Sequence, residues 1–467
     1  MTSSPHLRRT LTYLATIVGT QLAGFLLLPV VTRYLGPAPY GEYAVALAIA
    51  SLAGMFASSW IRNVAFRFYY DAQAAGTTRS FYASLVVLQA LVLAVVAGAF
   101  VALAAWLPGA PVAVPTALAA AAMLFSNDLL ALTVAFLRAE QQSGRFAASE
   151  LTAAAVRLAG TTLGLMAGFQ TPAFLFLAAA LASAIGGVVA VRALLPRLTG
   201  PARLDPGAMR SVAWRAPGAL PFSVGEWLNT LADRLILDHF AVRAVVGVYA
   251  AGQGLGNQLV SGLVAAVFMM AWPDVLASWN EGGVTKARAA VRRYVQLFLW
   301  FTVGPVVALV LFADELVLLL GGDFRGASAV IPLIAMAAWV RGLGNCFNRH
   351  LELAKRFWVM SAVTLGGAAA NVTLNLLLVP EFQAVGAAAA TLASQTLVML
   401  AFFVIRDRAL VAFPVLDAVV VLALTVVAWA LAGFVAGGGL AGLATFAVAY
   451  AIGTLGYGWV TLRRRPA

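Results

Sequence analysis

The chain has 467 residues, of which 62% are hydrophobic and 10% are charged. Soluble domains carry roughly 25% charged residues, so this composition excludes a soluble globular protein and indicates a polytopic membrane protein. The single cysteine, Cys346, excludes a disulfide framework. Three scattered histidines disfavour a metal site, so we expect no metal and no other cofactor.

Apolar runs near the length of a membrane span recur along the whole chain and predict an all-α polytopic membrane protein. Helices and closed barrels satisfy backbone polar groups in lipid, and these runs lack the alternation of barrel strands. We predict fourteen transmembrane helices, at residues 11–31, 43–61, 81–107, 113–137, 146–169, 173–191, 217–237, 245–271, 294–320, 327–347, 357–379, 384–405, 415–435 and 438–461.

Basic residues divide unevenly between the two sets of loops that these helices would leave. If the chain starts in the cytoplasm, the cytoplasmic segments hold most of the 30 Lys and Arg residues, including Arg62. The outer loops hold Arg33, Arg243 and Arg325. The positive-inside rule therefore predicts a membrane protein with both termini in the cytoplasm. Topology also accounts for the net charge of +12, so no nucleic-acid partner is expected.

Reporter fusions test this topology directly. Fusions in the predicted outer loops are expected to report the outer side, at residues 36, 170, 242, 323, 382 and 437. The measurement uses two reporters that are active on opposite sides of the membrane. A cytoplasmic signal at residue 242 would contradict the assignment of the seventh helix.

A short pattern near the start of the chain recurs at a constant offset. It consists of an aromatic residue, six further residues and then Gly-x-Tyr-Ala, with Gly41 in the first copy and Gly247 in the second. Each copy follows one apolar run and precedes another, so we predict that each forms a loop between two helices. Such an internal repeat favours a transporter built from two similar halves.

The longest predicted cytoplasmic loop, from Arg192 to Arg215, is rich in Pro, Gly and Arg and is typical of a linker. It predicts two parallel six-helix lobes, residues 1–200 and 201–410, followed by two additional helices in residues 411–467. A second cytoplasmic segment, Asp274 to Arg293, carries Trp279 and four basic residues at near-helical spacing. That segment fits either an interfacial helix lying along the headgroups or a basic loop.

Charged side chains inside the membrane are costly and usually meet a partner or a wet cavity. In the seventh predicted helix, Glu226, Asn229 and Asp233 form one polar stripe, with Arg234 beside it and Asp238 four residues further on. The stripe fits a cavity wall that contacts a polar substrate, or an internal salt bridge that fixes helix packing.

Other polar residues fall within predicted spans. Arg157 and Arg341 each fit either a substrate contact or a structural pair, and Asp128 lies in mid-span of the fourth helix. For Asn371 and Asn375 we favour interhelical hydrogen bonds. The outer loops are all short, which disfavours a membrane-embedded glycosyltransferase or polymerase with an outer active site.

The motifs resemble those of a known transporter family. The run Arg33–Pro37, with sequence Arg-Tyr-Leu-Gly-Pro, precedes Tyr40–Tyr43, with sequence Tyr-Gly-Glu-Tyr. Together with Asp233-Arg234 and the later Gly247-Val-Tyr, they resemble the O-antigen and exopolysaccharide flippases of the multidrug/oligosaccharidyl-lipid/polysaccharide exporter superfamily. The resemblance implies two six-helix lobes and alternating access. It also implies export of a polyprenyl-diphosphate-linked oligosaccharide for surface polysaccharide in a bacterial cytoplasmic membrane, without enzymatic activity. Other polysaccharide-assembly membrane proteins are the partners that the resemblance suggests.

Such a cargo calls for cationic side chains, because a guanidinium can donate two hydrogen bonds to a diphosphate. Arg157, Arg234 and Arg341 are the candidates within the membrane, with Arg33 and Arg243 as alternatives at the outer rim. The first predicted helix lacks the charged residues that lipid II flippases and cation-coupled multidrug exporters carry there. A small-molecule antiporter that couples through Glu226, Asp233 or Asp128 stays the alternative function, and a glycosyltransferase or polymerase is a weaker one.

Overall fold

The computed structural model describes residues 5–107, 109–215, 220–436 and 439–463. Within these ranges the regular structure is helical, which confirms the all-α prediction. The first half contains α1 Pro5–Leu35, α2 Pro37–Gly54, α3 Trp60–Ala74, α4 Thr78–Trp106, α5 Val114–Ala139, α6 Ser143–Met166, α7 Pro172–Leu194 and α8 Pro206–Arg215. The second half contains α9 Leu220–Thr230, α10 Ala232–Phe240, α11 Arg243–Leu311, α12 Ala313–Val317, α13 Val330–Leu353, α14 Phe357–Ile405, α15 Val415–Ala436 and α16 Gly439–Arg463.

Ten helical stretches of the described residues are long and apolar enough to cross a membrane. Two of them, α11 and α14, contain a break, at Gly282 and Gly283 in α11 and at Gln383 in α14. Both breaks coincide with predicted loops, so each long helix corresponds to two predicted spans. The predicted fifth and seventh helices correspond to α6 and to α9 with α10, which are not among the ten. The polytopic class is therefore confirmed, and each predicted span has a helical counterpart.

Both copies of the Gly-x-Tyr-Ala pattern lie in helices rather than in loops, so this prediction was wrong. Gly36 has a φ of 74° and separates α1 from α2, which begins at Pro37. Glycine reaches this left-handed conformation without strain, and proline fits the first turn of a helix because it needs no backbone donor there. The second copy resumes helix at Arg243, after an extended Ala241. Gly41 and Gly247 therefore lie within the first two turns of α2 and α11.

The helix after Gly54 also differs from the prediction. A π-helical turn, Met55–Ser59, joins α2 to α3, and the helix then continues to Ala74. Because the predicted helix ended at residue 61, Arg62 was assigned to a cytoplasmic loop. The structure places Arg62 within the continuous helix, in contact with Asp128 of α5.

The basic segment after Trp272 is helical on both sides of a two-glycine turn and does not form an irregular loop. Helix α11 continues through residue 281, turns at Gly282 and Gly283, and resumes at residue 284. Trp272 and Trp279 pack against a buried core cluster, while Lys286 lies exposed after the turn. Gly283 has a φ of 58°, which explains how two helices connect without a loop.

The chain forms two compact units, Met1–Gly247 and Val248–Ala467. This division falls at the first turns of α11, and the predicted lobes, residues 1–200, 201–410 and 411–467, stay a prediction. In the first unit, α5 packs against α4 and α7, and α6 packs against α1 and α7. Its buried cluster includes Tyr69, Leu85 and Phe136. The linker is held to this unit, because Thr199 and Asp205 donate backbone hydrogen bonds to side chains of α4.

In the second unit, α15 and α16 share the core with the later half of α11. The Tyr450 hydroxyl donates to the Trp300 carbonyl at 2.8 Å, and Gln296 donates to the buried Asp417 carboxylate at 2.7 Å. Phe446 lies in the same buried cluster as Phe298. The two C-terminal helices are therefore integral to this unit.

Gly41 and Gly247 make a reciprocal close contact within the first unit. A Cβ atom built on Gly41 would lie 2.0 Å from the Arg243 carbonyl oxygen, and one built on Gly247 would lie 1.9 Å from the Pro37 carbonyl oxygen. The Arg243 carbonyl lies four residues before Gly247 in α11, and the Pro37 carbonyl lies four residues before Gly41 in α2. Equivalent positions of the two sequence copies therefore pack on each other, backbone to backbone, which only glycine allows.

Candidate functional site

Two arginines predicted as ligands converge on a pair of tyrosines in the first unit. The Arg157 guanidinium lies 3.5 Å from the Tyr43 hydroxyl, as donor to acceptor. Arg157 and Arg234 both lie close enough to the Tyr40 phenol to interact with it electrostatically. We call Tyr40, Tyr43, Arg157 and Arg234 the tyrosine–arginine cluster. Its four side chains come from α2, α6 and α10.

The start of α2 explains how the tyrosines come together. Pro37 begins the helix, so Tyr40 and Tyr43 fall three residues apart on one face, with ring centroids separated by 5.9 Å. Tyr43 also packs against Phe176 of α7, with ring centroids 4.8 Å apart. Both tyrosines are buried, whereas Arg157 is exposed. The cluster therefore combines a fixed aromatic wall with a cation that is open to a ligand.

A break between α9 and α10 positions Arg234. Leu231 leaves helical geometry with a φ of −136°, and α10 begins again at Ala232. The Asp233 carboxylate is buried and accepts the Arg234 backbone N–H at 2.8 Å. This bond satisfies one of the backbone donors exposed at a helix start. Asp233 thereby stabilises the first turn of α10, while the half-buried Arg234 lies beside the Tyr40 phenol.

The predicted polar stripe of the seventh helix does not lie on one continuous helix. Glu226 and Asn229 belong to α9, whereas Asp233 belongs to α10, and the predicted start of this helix lies partly outside the described residues. Glu226 is exposed, but Asn229 is buried and donates to the Gly225 carbonyl at 2.9 Å. The role of these three side chains in substrate binding stays a prediction.

Thiol labelling distinguishes the three positions. In a Cys346→Ser background, we expect a membrane-impermeant reagent to modify Glu226→Cys and to spare Asn229→Cys and Asp233→Cys. The reason is burial, since Asn229 and Asp233 are 7% and 1% exposed. The measurement is the labelled fraction in intact membranes, with solubilised protein as the control for reactivity. Equal labelling at all three positions would contradict this burial and favour a water-filled wall.

The two rim alternatives differ in their surroundings. Arg243 forms an ion pair with Asp238 and donates to the Pro111 carbonyl at 2.7 Å. Burial raises the pKa of Asp238, and the adjacent Arg243 guanidinium opposes that shift. Arg33 is exposed in the last turn of α1, where a cation interacts favourably with the helix dipole. Arg243 therefore has structural contacts that account for its presence without a ligand.

Arg341 lies in the second unit. Its guanidinium donates to the Asn257 side-chain oxygen at 2.9 Å and to the Ser261 hydroxyl at 3.0 Å. Ser261 in turn donates to Asn257 at 2.9 Å, so the three side chains link α13 to α11. In the same unit the Asn371 amide donates to the Ser394 hydroxyl at 3.1 Å, as predicted for an interhelical contact. Asn375 instead donates to the Asn371 backbone carbonyl at 2.9 Å, one turn earlier in the same helix.

Two features of the site could not be read from spacing alone. Tyr40 and Tyr43 were visible as a motif, but assigning them to a loop concealed their place on a helix face. The ion pair between Arg62 and Asp128 was missed because the π-helical turn carries the helix past its predicted end. The sequence does contain a signal for each feature. The Gly36-Pro37 junction indicates a helix start before the tyrosines, and Asp128 is a carboxylate in mid-span that needs a partner.

Comparison with known proteins supports the family suggested by the motifs. The family model described as polysaccharide biosynthesis protein matches residues 7–276. The probable flippase AglR of Haloferax volcanii is 24% identical over 179 residues, which are 37% of this chain and 36% of that protein. The chain therefore matches about a third of the length of this curated relative.

Solved structures share the fold at low sequence identity. The lipid II flippase MurJ, in an inward closed conformation, gives a TM-score of 0.78 at 12% identity, with coverage of 97% of this chain and 98% of that chain. An inward-facing multidrug resistance transporter of the MATE family, from the MOP superfamily, gives 0.61 at 13% identity, with coverage of 84% and 93%. With the family model matching more than half of its residues, the chain belongs to the polysaccharide biosynthesis protein family and has the fold of the MOP superfamily transporters.

Proposed function

We propose that the protein is a flippase that moves a polyprenyl-diphosphate-linked oligosaccharide from the cytoplasmic to the outer leaflet by alternating access. Its place is the bacterial cytoplasmic membrane, with both termini in the cytoplasm. The observation that supports this most is the tyrosine–arginine cluster, where Arg157 and Arg234 meet beside Tyr40. The named relative AglR, a probable flippase, and MurJ, a lipid II flippase, agree in the class of activity.

The chemistry of the cargo explains why arginines are needed. A sugar diphosphate cannot cross hydrocarbon, whereas its polyprenyl tail can remain in lipid. Guanidinium groups remain charged at all physiological pH values and match phosphate oxygens with two parallel hydrogen bonds. A charge-assisted hydrogen bond contributes about 1.5–3 kcal/mol, so two arginines can discriminate a diphosphate from a neutral headgroup.

The tyrosines are suited to binding the sugar part of the headgroup. Tyrosine rings pack against the apolar faces of sugars, and their hydroxyls can donate to sugar oxygens or accept from a guanidinium. Tyr43 already accepts from Arg157, which holds the guanidinium in place before a ligand arrives. Preorganisation of this kind reduces the entropy lost on binding.

The alternative is a small-molecule antiporter, which the MATE neighbour fits in fold. Its requirement is an ionisable side chain within the membrane, and Asp128 is the buried carboxylate that fits best. An antiporter of cationic drugs would favour a site lined by carboxylates. The cationic character of the tyrosine–arginine cluster favours an anionic cargo instead.

Loss of the gene separates the two functions. If the proposal is right, deletion removes surface polysaccharide and leaves the lipid-linked glycan accumulating in the membrane, and the wild-type gene restores export. Lipid extraction and mass spectrometry identify the accumulated species and show whether it carries a diphosphate. Unchanged surface polysaccharide together with increased sensitivity to cationic drugs would contradict the proposal and support the antiporter.

A further inference from the structure

An ion pair between the half-buried Arg62 and the buried Asp128 joins α3 to α5 at the π-helical turn. The Arg62 guanidinium contacts the Asp128 carboxylate through Oδ1 and donates to the Ser58 hydroxyl at 2.9 Å. Ser58 itself donates to the Gly54 carbonyl at 2.9 Å. Neither Arg62 nor Asp128 belongs to the tyrosine–arginine cluster, and the proposed binding of a diphosphate does not use them.

The second carboxylate oxygen has a different environment. Asp128 is 4% exposed, and its Oδ2 atom has no hydrogen-bond partner among the described residues. Oδ2 faces the backbone of Gly54, where a Cβ atom would come within 3.5 Å of it. A buried carboxylate oxygen without a partner costs free energy, because it has lost its hydration without compensation. Addition of a proton to Oδ2 lowers that cost, because a neutral acid is less costly to bury than a charged carboxylate.

The π-helical turn shapes this contact. Met55–Ser59 inserts one wider turn between α2 and α3, and Ser58 lies within it, one helical turn before Arg62. Such turns leave carbonyl groups out of the regular helical pattern and occur frequently at functional sites. The Trp60 indole donates to the Phe56 carbonyl at 2.8 Å, which satisfies one of these groups. The turn also packs against the break between α9 and α10, through Met55, Trp227 and Ala232.

Other charged side chains are too far along their helices to replace Arg62. Glu42 precedes Gly54 by twelve residues, or about 18 Å of helix. Among the described residues, Arg62 is the charged group that acts on the Asp128 carboxylate, and the neutral Ser58 hydroxyl also interacts with it. The helices packed against α5, and α5 itself, carry their remaining charges near helix ends or toward other neighbours: Asp71, Arg79, Arg138, Arg145, Glu150, Arg157 and Arg192.

From this geometry we propose that Asp128 is a proton-binding site, and that a proton taken up on Oδ2 neutralises the carboxylate and releases Arg62. The proton comes from water, no bond within the protein is broken, and Arg62 keeps its own charge. A metal ion is disfavoured here, because the guanidinium already neutralises the carboxylate and would repel a second cation. The Arg62 side chain is 32% exposed and that of Asp128 is 6% exposed, so the released guanidinium can turn toward solvent or an anion.

This site goes beyond the proposed cargo, since it concerns the ion that the transporter binds. Release of Arg62 loosens α3 from α5 next to the break that positions Arg234. Proton binding can therefore change the packing of the π-helical turn against α9 and α10. A switch of this kind needs one titratable group and one element that can change its packing, and we assign these roles to Asp128 and to the π-helical turn.

Infrared spectroscopy tests the proposal on the full-length protein in lipid, without any cargo. Lowering the pH should produce the C=O stretch of a protonated carboxylic acid, and the Asp128→Asn variant should lack this band. Arg62→Gln should show the band at a higher pH than the wild type, because the cation that stabilises the carboxylate is gone. Since no cargo is present, failure of the proposed flippase function would leave this result unchanged.

Identical pH-difference spectra for the wild type and Asp128→Asn would overturn the proposal. An unpaired buried charge can prevent folding, so the double variant Arg62→Gln/Asp128→Asn provides a second comparison in which both charges are absent. The double variant should also lack the band, whereas a band of full intensity would again refute protonation of Asp128. Asp323→Asn is the matched control, because Asp323 is exposed and its loss should leave the band of the buried acid in place.

Discussion

Alanine at Arg157 or at Arg234 is expected to reduce export of surface polysaccharide by roughly ten- to a hundred-fold. The expectation follows from the loss of a charge-assisted contact worth about 1.5–3 kcal/mol, if each arginine binds one part of the diphosphate. Lysine at either position should retain part of the activity, because it keeps the charge but loses the paired donors. The measurement is the amount of surface polysaccharide at matched protein abundance.

Two controls separate ligand binding from a structural role. Arg203→Ala removes an exposed arginine of the linker between α7 and α8 and should leave export unchanged. Tyr43→Phe removes the acceptor of the Arg157 hydrogen bond while preserving the ring that packs on Phe176. A modest loss in Tyr43→Phe beside a large loss in Arg157→Ala would indicate that the guanidinium acts on the cargo. Full export by both alanine variants would contradict the assignment and shift attention to Arg33.

Substitution of Gly41 or Gly247 by alanine is expected to destabilise the protein by about 1–3 kcal/mol, the usual range for overpacking. A new Cβ atom would lie about 2 Å from a backbone carbonyl oxygen in each case, so the two helices would have to separate. The effects should not add fully, because both substitutions disturb one contact. The measurement is the thermal unfolding midpoint of the purified protein, with abundance in membranes as a second readout.

Two other helical glycines provide matched controls. Gly98 in α4 and Gly160 in α6 have open space where a Cβ would be added. Alanine at these positions should be neutral or stabilising by up to about 1 kcal/mol, because glycine is the poorer helix former. If alanine at Gly41 were tolerated as well as alanine at Gly160, the close contact between α2 and α11 would be refuted.

The existence and type of the helices could be predicted from the sequence, because long apolar runs have few alternatives in lipid. Their ends could not, since polar residues such as Tyr40 and Arg62 lie within helices when neighbouring helices cover them. The constant offset between Gly41 and Gly247 was visible, but its physical meaning was not. Only the structure shows that the two glycines pack against each other where α2 meets the start of α11, and that they do not mark two similar loops.

For the candidate site, the sequence identified some of the residues but not how they are grouped in space. The predicted spans include Arg157 and Arg234, and the resemblance implied a role for them. Spacing along the chain could not show that both act on the same pair of tyrosines. The stripe through Glu226, Asn229 and Asp233 assumed an unbroken helix. Nothing in that stretch identifies Leu231 as a break, because no Pro or Gly lies beside it. The break at Leu231 lies where α9 and α10 pack against the π-helical turn, a tertiary contact that sequence periodicity does not reveal.

A transport measurement with purified protein tests the central claim most directly. The protein is reconstituted in liposomes with the lipid-linked glycan isolated from the deletion strain, and with a monophosphate analogue that carries the same glycan. The account predicts that the diphosphate form crosses at least about tenfold faster, and that Arg157→Ala/Arg234→Ala removes this preference. Equal rates for the two lipids in the wild type, or an unchanged preference in the double variant, would contradict it.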